Sequence, residues 1–232
     1  NPFIVKQVIG LLVSNQLIQF NPDTGYWTFD LEAIRGLPYS SEVVSLLIQK
    51  ISHLSSDAKQ ILAIGACVGT QFSRELIAMI CGGERAASAP LDQLIAFGLI
   101  KKSSLSTCEM FQFSHDNIQQ AALSLLDERD AKHAHLQIAS CLRKIGKEGK
   151  GHVNGELTQL AGHLCAGWPL IETQSERIEA LETILHAVDT VMTNTSFDIG
   201  CNWLLEAQRI FACLDWTKVS ERKGEWKSER DF

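Results

Sequence analysis

The chain has no GxxxxGK[ST] segment, so it cannot cradle a triphosphate with a P-loop of its own. It has no HExxH and no GxSxG, which sets aside the helical zinc-protease and nucleophile-elbow readings. No apolar run approaches the ~18–20 residues of a membrane span; Ile61 to Val68 is far too short. No signal-peptide pattern opens the chain. Basic residues are outnumbered, 21 Lys and Arg against 27 Asp and Glu, for a formal net charge of −6 and a pI near 5.6. That balance argues against a dedicated nucleic-acid binder, whose phosphate affinity comes from clustered Lys and Arg. No two cysteines are spaced CxxC. The seven (Cys67, Cys81, Cys108, Cys141, Cys165, Cys201 and Cys213) are odd in number, and most lie among Ala, Leu and Ile as small buried hydrophobes do. Secreted disulfide scaffolds are shorter and richer in Cys, so a reducing, cytosolic setting is expected. A starting Met is also missing before Asn1-Pro2-Phe3, and the expectation is a piece of a longer polypeptide.

What is present is a chain of 232 residues, 45% hydrophobic, enough for one large core or two modest ones. Val5, Val8, Ile9, Leu12 and Val13 recur at helical spacing between Ile4 and Ile18. Two short aromatic runs flank Pro22-Asp23-Thr24-Gly25 and predict a β-hairpin. Ser41 to Ile51 returns to helix after the break at Pro38. Ser55 or Ser56 can cap a helix carrying Ile61, Leu62, Ile64 and Ala66. A second helix is predicted around Phe72 to Ile80, stopped by Cys81-Gly82-Gly83. A third runs from Ala87 to Phe97, with Gly98 as its C′ glycine. Leu99 to Lys102 and Met110 to Phe113 read as strands around a Ser/Thr-rich turn. Three helices and a two-stranded wing make a winged helix.

Beyond Asp116 there is no strand signal. Helical patterns run Asp116–Leu126, Asp130–Ile145, Leu157–Ala166, Ser175–Met192 and Phe197–Leu214, with a Gly- and Lys-rich loop over Gly146 to Gly155. Antiparallel helices joined by short loops predict a repeat-like superhelix. Thr217 to Phe232 alternates charges without an apolar face and reads as a solvated tail. The predicted fold class is mainly α: a β-hairpin and a winged helix, then an α-helical repeat-like superhelix.

The most informative stretch is Phe111-Gln112-Phe113-Ser114-His115-Asp116-Asn117-Ile118-Gln119-Gln120-Ala121-Ala122. A short alternating apolar segment runs into a His-Asp pair that opens an amphipathic helix. A His at such a junction can point a titratable ring nitrogen outward from a rigid corner. Asp116 can cap the helix, with Gln119 completing a capping box. His133-Ala134-His135 and His163-Leu164-Cys165 lack a third and fourth ligand at metal spacing and read as structural or solvated. Asp127-Glu128 supplies an acidic first turn that suits the helix dipole. The third helix, Ala87 to Phe97, carries one Gln, one Asp and no basic residue toward a DNA groove, with Lys101 and Lys102 the basic pair nearby. No complete catalytic site is present, and the chain alone is not expected to be an enzyme.

Asn1-Pro2-Phe3-Ile4-Val5 is similar to the (G)NPFFV start of the lid-helix region of signal-transduction ATPases with numerous domains, the STAND class. Trp27-Thr28-Phe29-Asp30-Leu31-Glu32-Ala33-Ile34-Arg35-Gly36-Leu37-Pro38 resembles the W-x-W/F-D-L-x-x-I-x-x-L-P segment of one branch. There a protein-kinase-like domain, an AAA-type ATPase, a GAF domain and a histidine kinase share one polypeptide. Phe111 to Leu126 resembles its F-x-F-S-H-D-x-I/V-Q-Q-A-A-Y-S-L-I motif, with Leu123 where an aromatic is more usual. Ala161-Gly162-His163-Leu164 and Ser196-Phe197-Asp198-Ile199-Gly200 resemble the helical-repeat segment that follows, so the resemblance covers residues 1 to 215.

The resemblance implies ATPase lid helices with a β-hairpin over 1–54, a winged helix over 55–114, a TPR-like helical-repeat region over 115–216 and a charged tail over 217–232. It implies that Pro2 matches the lid proline near the adenine, and that His115 matches the winged-helix histidine, whose ring can meet the β-phosphate of ADP in the closed state. Such a charge-assisted contact is worth about 1.5–3 kcal/mol. Made only in the ADP state, it would bias a two-state equilibrium. The implied cofactor is ATP or ADP in the parent, with none in this piece. The implied partners are the P-loop ATPase module and downstream kinase domains, with a protein partner on the helical repeats, no nucleic acid and no membrane span. The implied function is a non-catalytic regulatory fragment of a cytoplasmic hybrid serine/threonine–histidine kinase, itself an ATP-dependent enzyme in a two-component phosphorelay. Two other readings stay open: a helical-repeat adaptor for a protein partner and, disfavoured by the acidic third helix, a winged-helix DNA-binding regulator.

Overall fold

The computed structural model describes residues 5, 9–10, 12–13, 16–35, 50–103, 109–147, 154–193 and 197–215. The fold is mainly helical with two small antiparallel sheets. The chain divides between Leu126 and Asp127 into two compact units.

In the first unit residues 5, 9–10 and 12–13 are helical, within the predicted helical pattern, and the predicted hairpin follows. Strands β1 (Ile18–Asn21) and β2 (Tyr26–Phe29) pair antiparallel, with Asn21 opposite Tyr26. Asn21 Oδ1 accepts from the backbone N–H groups of Asp23 and Thr24 at 2.9 and 3.3 Å, and Gly25 takes a φ of +70° that closes the turn. Ile18, predicted to end the first helical pattern, is the first residue of β1; turn and strand start earlier than the apolar spacing suggests. A short helix, α1 (Leu31–Arg35), follows. The helix predicted over 41–51 lies outside the described residues, save for its last two, which are helical.

The rest of this unit is built on α2 (Ser56–Val68), whose residues from Ile61 to Cys67 are all buried. Ser55 caps it: its Oγ accepts from the Ala58 N–H at 3.2 Å and donates to Gln93 Oε1 at 2.8 Å, so the cap also fastens α2 to a later helix. Strand β3 (Gln71–Ser73), α3 (Arg74–Ile80) and α4 (Glu84–Ala96) follow, then β4 (Ile100–Ser103), β5 (Met110–Phe113) and α5 (Asp116–Leu123). The predicted start of the second helix at Phe72 is corrected here. Phe72 pairs in β3 opposite Phe111, giving a three-stranded sheet in the order β3-β5-β4. Its ring is buried 5.9 Å from that of Phe111 and 5.7 Å from that of Phe113. Burying such a side chain stabilises by about 1.5–3 kcal/mol, more than the first turn of a helix could offer it. Ser73 then caps α3, accepting from the Leu76 N–H at 3.1 Å. The third helix begins at Glu84, three residues before the predicted start, because the break falls at Gly83 (φ +136°). It ends as predicted: Gly98 has φ +69°, and the Leu99 N–H reaches the Leu94 carbonyl at 3.0 Å.

Helix α5 belongs with these elements. Ile118 and Ala122 are fully buried, and Gln119 Nε2 donates to the Ala66 carbonyl of α2 at 3.2 Å. The division drawn from sequence between 114 and 115 therefore falls inside the first unit, and the units part after Leu126.

The second unit holds α6 (Glu128–Lys147), α7 (Asn154–Gly167), a 3-10 turn (Trp168–Leu170), α8 (Gln174–Thr193) and α9 (Phe197–Ala212). Asp127 Oδ1 accepts from the Asp130 N–H at 2.7 Å and caps α6. Each helix packs on the next, around Leu160, Leu164, Ile184, Ala187 and Ile210. Of the described cysteines, all free, Cys67 and Cys141 are buried, Cys81 and Cys165 half-buried, and Cys201 and Cys213 exposed. The tail over 217–232 lies outside the described residues.

Candidate functional site

Two residues, Ser114 and His115, separate β5 from α5. The strand end is pinned from two sides: the Phe113 N–H donates to the Thr70 carbonyl at 3.4 Å, and the Ser114 N–H to the Leu99 carbonyl at 3.0 Å. His115 has extended backbone, φ −160° and ψ 149°, and its Nδ1 accepts from the Asn117 N–H at 3.1 Å. The helix cap is thus His115 itself. Asp116, predicted to be the cap, is corrected to the first helical residue, where its charge suits the dipole. Capping needs a side-chain acceptor on the last extended residue, and that residue is the histidine. Gln119, predicted to reach back to the cap, spends its amide on Ala66 instead.

This hydrogen bond assigns the tautomer of a neutral ring. Nδ1 accepts, so the proton sits on Nε2, and that N–H is the ring's donor. The ring is half-buried, held at a corner fixed by strand and helix, and adjacent to a helix N-terminus, where negative charge is favoured. Pro2, the other residue singled out from sequence, lies outside the described residues.

Around the sheet, Arg74 Nε bonds Glu84 at 2.8 Å, its guanidinium also reaches Glu109 at 3.4 Å and Ser88 at 3.2 Å, and Lys102 bonds Glu109 at 2.6 Å. The Lys102 ammonium, helped by Arg74, holds the Glu109 carboxyl below the usual carboxylate range. Lys102 is thereby matched by a carboxylate rather than offered to phosphate.

Sequence reading named His135 and His163 in separate motifs, as structural or solvated, and missed that they meet. His135 on α6 and His163 on α7 face one another, with ring centroids 5.0 Å apart. Burial, and secondarily the neighbouring His135, pushes His163 down to about 4; burial also lowers His135. Cys165, on the same helix, is pushed up to about 12 by burial and by Glu206, so it is a thiol at neutral pH and no nucleophile. Two residues 28 apart in sequence carry no common motif, and only the antiparallel pairing of their helices brings them together. Among the described residues, no group of three or more His, Cys, Asp and Glu could hold a metal ion. No described helix is long and apolar enough to cross a membrane.

Against known proteins, the chain is 22% identical over 180 residues to hybrid signal transduction histidine kinase G of Dictyostelium discoideum. The match covers 62% of this chain and 5% of that protein, so the chain spans a small fraction of its relative's length. The chain is thus similar, over part of its length, to a signalling protein. No protein-family model and no solved structure matches it.

Proposed function

We propose that this chain is a non-catalytic regulatory segment of a cytoplasmic STAND-class ATPase, joined in one polypeptide to a histidine kinase, and that it couples nucleotide state to signal output. The helix-strand-helix-helix-strand-strand order from α2 to β5, with sheet order β3-β5-β4, is consistent with a winged helix in the place the resemblance requires. The partial similarity to a hybrid signal transduction histidine kinase supports the same reading.

The observation that carries the reading is the geometry of His115. Nδ1 is committed to the Asn117 N–H at a corner set between strand and helix, and a neutral ring held this way carries its proton on Nε2. A phosphate oxygen of ADP is an acceptor that fits this donor. One hydrogen bond to a charged phosphate, made in one nucleotide state only, shifts the balance between states by about 1.5–3 kcal/mol.

The test uses the full-length protein with its P-loop module, and two substitutions that separate cap from ring. Asn is among the best N-cap residues, so His115→Asn keeps the cap and removes the imidazole, whereas His115→Ala removes both. Both variants should bind ADP about ten- to a hundredfold more weakly by titration calorimetry, in line with 1.5–3 kcal/mol. Wild-type ADP affinity in His115→Asn would show that the histidine serves the fold alone.

A further inference from the structure

The second unit contains an open groove of about 480 Å³ bounded by α6, α7, the 3-10 turn and the first turn of α8. That volume lies within the range of about 300–1,000 Å³ typical of binding pockets. Leu136, Ser140 and Arg143 fall on one face of α6 and form a wall, by the i, i+4, i+7 spacing of a helix. Half-buried Leu136 and Leu170 give the groove its accessible apolar surface, over the buried core residues Leu164 and Ile171.

The unmatched charges lining the groove are acidic. Arg143 is tied to Glu179 of α8 at 3.1 Å, so its charge is matched. Exposed Glu172 and Glu176 also line the groove. Thr173 Oγ1 donates to Glu176 Oε2 at 2.7 Å and accepts from the Glu176 N–H at 3.3 Å, which holds that carboxylate in place. The neighbouring Arg177 turns its Nε to the Ile171 carbonyl at 2.8 Å.

We propose that this groove docks a peptide segment carrying an aliphatic side chain beside a lysine or arginine. The aliphatic group covers Leu136 and Leu170, and the cation meets Glu172 and Glu176. An acidic segment is repelled by Glu172 and Glu176, and Arg143 does not recruit it because Glu179 already neutralises the guanidinium. Exposed ion pairs contribute little affinity, so the apolar floor supplies most of the binding and the carboxylates select the partner. The site is independent of the nucleotide contact at His115, and either proposal can fail without the other.

The experiment is an amide NMR titration of the full chain with an end-blocked hexapeptide of alternating leucine and lysine. Saturable shifts should concentrate at 136–143 and 170–176. The Glu172→Gln, Glu176→Gln double variant should bind at least fivefold more weakly. Ser140→Trp, at an exposed position on the wall, should abolish binding by filling the groove. Ser140→Lys, which leaves the helix surface polar and guards against a folding defect, should weaken binding by setting a cation against the ligand's own. The proposal is overturned if no saturable shifts occur at those residues, if an alternating leucine–glutamate peptide binds as tightly, or if both Ser140 variants bind as wild type does.

Discussion

His135 Nδ1 and His163 Nδ1 lie 2.8 Å apart, a hydrogen bond across α6 and α7 in which one ring donates and the other accepts. A second proton between them would set two N–H groups face to face in a buried site. The unfolded chain carries no such restriction and takes up protons near the ordinary value of about 6.5. With His163 held down to about 4, the folded state binds fewer protons between those two values. Stability is therefore fully present above about pH 6.5 and is lost as pH falls toward 4, by on the order of 3 kcal/mol from this residue. Urea unfolding at pH 7.5 and 4.5, followed by the fluorescence of Trp168 and Trp203, should show that loss. His163→Leu should flatten the dependence, and an equally steep variant would contradict the assignment.

Gly65 sits in the middle of α2, where propensity alone favours alanine by about 1 kcal/mol. Packing decides otherwise. A Cβ there would lie 2.7 Å from Phe72 Cε1 and 2.9 Å from Cζ, and that ring is wedged between α2 and the other two phenylalanines of the sheet. Overpacking a filled core costs about 1–3 kcal/mol, which outweighs the propensity gain. Gly65→Ala should thus destabilise the first unit, read as faster hydrogen exchange of the α2 amides. Phe72→Leu in the same chain should restore part of the loss.

What the sequence made legible is what short-range chemistry determines. The hairpin turn, the Ser55 cap, the Gly98 stop and the strand-to-helix corner at His115 each rest on residues a few positions apart. What it hid depends on distant partners. Three residues, Gln71 to Ser73, are too few for a periodic strand signal and become β3 only because β5 is there to pair with. The His135–His163 contact and the peptide groove require the α6–α7–α8 packing, which no local pattern encodes. At His115 the sequence located the corner, but the choice of cap depended on which residue kept extended backbone.

Gly98 tests the corner's other support. Its φ of +69° is open to glycine and costs a residue with a Cβ roughly 1–2 kcal/mol, although nothing lies within 4 Å of the position an added Cβ would take. Backbone strain alone is therefore at stake. Gly98→Ala should destabilise the first unit by about 1 kcal/mol. Gly98→Asn, a residue that tolerates the left-handed region, should cost less. Equal losses would show that the strain argument is wrong. The readout is hydrogen exchange at Leu99 and Ser114, whose amides bond Leu94 and Leu99.

His115 has a structural role that can be measured apart from any nucleotide. Its Nδ1 satisfies one of the orphan N–H groups at the start of α5, and the loss of a side-chain cap costs about 0.5–2 kcal/mol. His115→Ala should lower the stability of the first unit by about 1 kcal/mol, while His115→Asn should stay within a few tenths, because its Oδ1 can take over the bond. The exchange rates of the α5 amides in the nucleotide-free chain provide the measurement. If Ala and Asn behave alike, the ring nitrogen is not the effective cap. If they differ as stated, the full-length ADP titration becomes decisive, since His115→Asn then reports the imidazole with the fold left intact.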